Sequence, residues 1–135
     1  MSGLEIEKDL ARLKRQVTGF YSKGDYESAL ECALTLETRV SSIMGKKNVV
    51  YASCLNNIAL MHKSLGNTTD SMDAYTEALH LYEDLVGKKH SSYAASLSNI
   101  GVLFKTMATT TKGMFMYSVV KQTCSSSLRK LGRGK

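Results

Sequence analysis

The chain has 135 residues, a net charge of +6, no proline and no tryptophan. The length fits one compact unit, and a hydrophobic content of 43% supplies a core. The charge argues against a nucleic-acid binder, because residues 1–105 hold 12 Lys+Arg and 12 Asp+Glu. The excess lies wholly in Lys112, Lys121, Arg129, Lys130, Arg133 and Lys135, with no acid after residue 105. A neutral body with a basic tail differs from a basic groove.

In chain order, Met1-Ser2-Gly3-Leu4-Glu5 has no basic region followed by an apolar run, so an ordinary signal peptide is not expected. Leu10, Leu13, Val17, Phe20 and Tyr21 form an apolar stripe at helical spacing, which predicts a helix near 4–22. Leu30, Ala33, Leu34, Leu36 and Val40 predict a second near 26–44. Leu55, Ile58, Ala59 and His62 predict a third near 49–65. Tyr75, Ala78, Leu79, Tyr82 and Leu85 predict a fourth near 69–86, and a fifth spans about 91–108. Asp25, Asn48, Asn67 and Ser91 are residue types that cap helix starts. Proline breaks helix interiors, so its absence fits this reading.

The pattern repeats. Gly45-Lys46-Lys47 returns 42 residues later as Gly87-Lys88-Lys89, and Tyr51, Ala52, Leu55, Asn57, Ile58 and Lys63 return as Tyr93, Ala94, Leu97, Asn99, Ile100 and Lys105. Gly24 and Gly66 keep the same offset, 21 residues before each Gly-Lys-Lys. Glycines at half-period mark the turns between paired helices. Such pairs stack because one pair cannot bury its apolar face alone. Ala59, Gly101, Ala74 and Ala78 are the small residues expected where helices cross.

The residues from Gly87-Lys88-Lys89-His90 through Asn99-Ile100-Gly101, with Leu55-Asn56-Asn57-Ile58-Ala59, resemble the 42-residue tetratricopeptide repeats of kinesin light chains and nephrocystin-like proteins. The chain departs from that pattern in three places. The proline after the histidine is Ser91, the aromatic before Gly66 is His62, and the alanine after Gly66 is Ser71. The resemblance covers about residues 10–105. It implies an all-α fold, an α-solenoid of antiparallel helix pairs forming a right-handed superhelix, with repeats at about 4–45, 46–87 and from 88 onward.

It also implies that the first helix of each pair lines a concave groove for an extended peptide of a protein partner. By register, Asn57 and Asn99 carry over as amides contacting a peptide backbone, since an amide both donates and accepts. Asn56, Lys63 and Lys105 flank them, and the two lysines read more readily as a solvated face. His90 resembles the family's histidine at a helix start and is expected to cap. His62 reads as a replacement for a core aromatic.

The three histidines have no convergent spacing, so no metal is expected. No nucleophile elbow or phosphate loop is present, and no enzyme activity, cofactor or small-molecule substrate is expected. Gly-Lys-Lys reads as a turn. Tyr26, Tyr51, Tyr75, Tyr82 and Tyr93 read as packing residues, not stacking platforms. Cys32, Cys54 and Cys124 are odd in number and widely spaced, which predicts reduced thiols in a cytoplasmic protein.

After Lys105 the repeat decays. Tyr117, Val120, Cys124, Leu128 and Leu131 form a final helical stripe beside Lys121, Arg129 and Lys130, so residues 109–135 read as a degenerate last helix or a basic tail. Ser125-Ser126-Ser127 beside those cations reads as a phosphate-acceptor run. Two alternatives to the adaptor stand beside it, the first resting on exposed end faces that stack with another chain and the second on the basic tail. One is a self-associating subunit of a larger assembly, and the other is attachment of the basic tail to acidic membrane or RNA.

Overall fold

The computed structural model describes residues 2–107. All regular structure among them is helical: α1 (Gly3–Ser22), α2 (Tyr26–Met44), α3 (Val49–Ser64), α4 (Thr68–Val86) and α5 (Ser91–Met107). The predicted helices agree with these spans to within a residue or two. The stripe at Tyr117–Leu131, Cys124 and the serine run lie outside the described residues. The chain divides into two compact units, Met1–Ile100 and Gly101–Lys135, with the division inside α5.

Two hairpins form the first unit. α1 ends where Gly24 takes a positive φ of 77°, and α3 ends where Gly66 takes 83°. A side chain at such an angle is strained, so glycine is the residue that closes both helices. In each case the next two amides turn back. Gly24 N–H donates to the Tyr21 carbonyl and Asp25 N–H to Phe20, both at 3.0 Å. Gly66 N–H donates to Lys63 at 3.1 Å and Asn67 N–H to His62 at 2.8 Å. The chain reverses in a few residues, leaving α1 packed on α2 and α3 on both α2 and α4.

The caps differ from residue to residue. Asp25 caps α2 by accepting from Ser28 N–H, and Ser2 with Glu5 forms a capping box on α1. Asn48 accepts from Tyr51 N–H at 2.8 Å while its amide donates to the Met44 and Gly45 carbonyls. Asn67 stands at the start of α4 without capping it, because its amide lies 3.3 Å from His62 Nδ1. An amide nitrogen only donates, so that contact needs an unprotonated Nδ1. His62 is therefore half-buried and polar-partnered, not a plain core substitute. Ser91 is the first residue of α5 and not its cap; His90 fills that role, with Nδ1 accepting from Ser92 N–H at 3.1 Å.

The buried residues are Leu13 and Val17 of α1, Ala29, Ala33, Leu36 and Val40 of α2, and the matching stripes of α3 and α4. Ala59 and Ala78 are fully enclosed where helices cross, and Ala74 is buried. Gly101 is exposed, with open space where a Cβ would stand, so its size serves no close approach. Leu34 and Leu85 also leave their stripes for solvent, since each lies at the margin of a narrow apolar face. Ser71, where the resemblance expects alanine, is wholly buried, and its hydroxyl donates to the Ala59 carbonyl at 2.7 Å. The hydrogen bond is what lets a polar group stand at that crossing. Tyr51, Tyr75, Tyr82 and Tyr93 are buried, while Tyr26 is half-buried with its ring 5.4 Å from Tyr21.

Candidate peptide-binding cleft

A cleft of about 470 Å³ opens between α1 and α3. One wall is Lys14, Val17, Thr18 and Tyr21, an i, i+3, i+4, i+7 stripe of α1. The other includes Ser53, Cys54, Asn57 and Leu60 of α3, and Leu36 of α2 also lines it. The mixture suits a peptide, with apolar area for side chains and an amide, three hydroxyls and a cation to orient a main chain.

Asn57 is half-buried on this cleft. Asn56 turns to the other side of α3. Its Nδ2 donates to Ser96 Oγ of α5 at 3.4 Å, and its Oδ1 is buried without a hydrogen-bond partner. The repeat explains this placement. Moving Lys14 and Cys54 by 42 residues gives Asn56 and Ser96, so Asn56 occupies the second interval, between α3 and α5. Lys63 corresponds in the same way to Tyr21, and Asn99 to Asn57, placing both by register along that interval; each is half-buried. Lys105 is exposed in the second compact unit. The four residues of the first unit are thus spread along its repeats and not gathered at one point.

Several cleft residues were not foreseen. Lys14, Thr18 and Ser53 flank the core stripes, and only the 42-residue register applied to the first, diverged repeat could have indicated them. Cys54 is buried, and burial pushes its thiol up to about 11 despite the neighbouring Lys14 cation. It is a packing thiol and not a nucleophile at neutral pH. Cys32 and Cys54 both carry free thiols.

Glu37 is a further unforeseen residue. Its carboxylate accepts from the Tyr51 hydroxyl at 2.9 Å, tying α2 to α3 behind the cleft. Burial first, and then that carboxylate, raise the Tyr51 phenol above its ordinary range. At the front end of the hairpin, Asp9 bonds both Arg12 and Arg39, which links α1 to α2. The Arg12 hydrogen bond, with the Arg39 charge beside it, holds the Asp9 carboxyl below its ordinary value.

Among the described residues no group of three or more His, Cys, Asp or Glu side chains could hold a metal ion. No described helix is long and apolar enough to cross a membrane.

Comparison with protein families matches residues 52–92 to the tetratricopeptide repeat. That segment is a tetratricopeptide repeat. The matched segment runs from the first turn of α3 through α4 into α5, and the kinesin-light-chain type of repeat belongs to this class. No curated protein matches the chain. Tetratricopeptide repeats are a non-enzymatic fold that mediates protein–protein interactions.

Proposed function

We propose that this protein is an adaptor that binds an extended peptide of a partner protein along the inner helices α1, α3 and α5. The observation that carries the reading is the cleft between α1 and α3, with the Asn57 amide on its wall. Asn57 hydrogen-bonds the peptide main chain there, and the apolar lining takes its side chains. Asn56, Lys63 and Asn99 continue the track along the second interval. Asn56 supports that track while held by Ser96, and Lys63 attracts an acidic ligand. No reaction and no cofactor belong to this function.

A random-peptide library displayed on phage and panned against the full chain tests it. Enriched peptides should shift the amide resonances of Thr18, Ser53 and Asn57. Failure to enrich any sequence, or shifts confined to the outer helices α2 and α4, would refute the groove.

A further inference from the structure

The Gly-Lys-Lys turns recur for a reason beyond chain reversal. α2 ends, α3 begins, α4 ends and α5 begins at one end of the first unit, so both turns lie on one edge. Immediately before them, Ile43 and Met44 are 46% and 48% exposed, and Leu85, 42 residues after Ile43, is 40% exposed. Leu4, at the start of α1 on the same edge, is 62% exposed. Large aliphatic side chains left in water beside a chain turn do not serve the core.

Lys46, Lys47, Lys88 and Lys89 stand beside them, all exposed and none in an ion pair among the described residues. Near the turns the acids are Glu83 and Asp84, and at the start of α1 Glu5 is engaged in the capping box while Glu7 is exposed. Four cations therefore crown two turns whose following helices, α3 and α5, carry no acid in their first turns.

We propose that this edge is a peripheral docking surface for an anionic phospholipid bilayer, with the aliphatic side chains entering the headgroup region and the lysines meeting the lipid phosphates and carboxylates. Lysine stems lie along apolar surface while their ammonium groups stay at the polar level. The pairing of exposed aliphatics with unpaired lysines is what an anionic interface rewards. Nucleic acid fits less well, because the two turns carry no arginine and no Phe, Tyr or Trp ring to stack on bases. A peptide also fits less well, since projecting turns offer a ridge where a peptide needs a groove.

Cosedimentation of the full chain with vesicles tests this. The chain should pellet with phosphatidylcholine vesicles containing about 30% phosphatidylserine, and not with phosphatidylcholine alone. The double variant K46E/K47E should weaken binding by at least about 25-fold, at roughly fivefold per lysine. I43S/L85S should weaken it by about tenfold. Helical content by circular dichroism should be unchanged in both. Three results would overturn the proposal. The first is no binding of the native chain to anionic vesicles. The second is vesicle binding lost in R129Q/K130Q/R133Q but kept in K46E/K47E. The third is retention on polyglutamate without retention on vesicles, which would identify an acidic polypeptide partner instead.

Discussion

The seam between α2 and α3 and the seam between α4 and α5 are built from the same repeat, yet only the first is fully satisfied. Tyr51 at the first seam gives its hydroxyl to Glu37. Tyr93 stands 42 residues later, but leucine, Leu79, occupies the place of Glu37, and the Tyr93 hydroxyl is buried without a partner. Asn48 stitches the first turn with three hydrogen bonds, where His90 makes a single cap bond in the second. The repeat therefore preserves the apolar positions and the glycines and lets the polar partners drift. The better-tied seam stands behind the α1/α3 cleft, the groove of the proposed function.

Changing Leu36 should disturb this difference most. It is 1% exposed, lines the cleft, and faces Ala78 in the repeat register. Leu36→Ala gives the first seam the residue of the second and should destabilise the fold by about 2–5 kcal/mol in urea titrations. A smaller pair of substitutions sharpens the contrast. Tyr51→Phe removes a satisfied hydroxyl and should destabilise by about 1 kcal/mol. Tyr93→Phe removes an unsatisfied one and should be neutral or stabilising. Equal losses from both substitutions would show that the two seams are equivalent after all.

Gly24 and Gly66 lie outside the seams and provide a control. Alanine at either should cost about 1 kcal/mol through its positive φ, and by the same amount in both hairpins. The smallest effect belongs to Asp9. Its carboxyl is lowered from the ordinary 3.8, so its contribution is present above that value and is lost as pH falls through the folded value. Stability should decline with acid slightly less steeply in Asp9→Asn than in the native chain, as read from urea midpoints.

The helices, the hairpin glycines and, Gly101 apart, the small residues at the crossings were legible because each answers to a local rule that 42-residue periodicity reinforces. Buried positions were legible too, although their sizes vary: Ala33, Leu36 and Val40 of α2 become Tyr75, Ala78 and Tyr82 of α4. The polar links were not. Glu37 meets Tyr51 across 14 residues, and Asp9 meets Arg39 across 30. Nothing in helical spacing marks such pairs, because they depend on how far one helix is turned against the next. Asn56 and Asn57 are adjacent in sequence, and only the stack sends one toward α5 and the other into the cleft. Ser71 was visible as a departure from the alanine pattern, but its role needed the Ala59 carbonyl to be seen beside it.

The most direct test of the account compares Asn57→Ala with Asn99→Ala for affinity toward one phage-selected peptide, measured by calorimetry on the full chain. A loss of tenfold or more for Asn57→Ala, an order-of-magnitude expectation of about 1.4 kcal/mol, with a smaller loss for Asn99→Ala, supports a track centred on the α1/α3 cleft and continued along α5. The reverse order, or no loss in either, contradicts it.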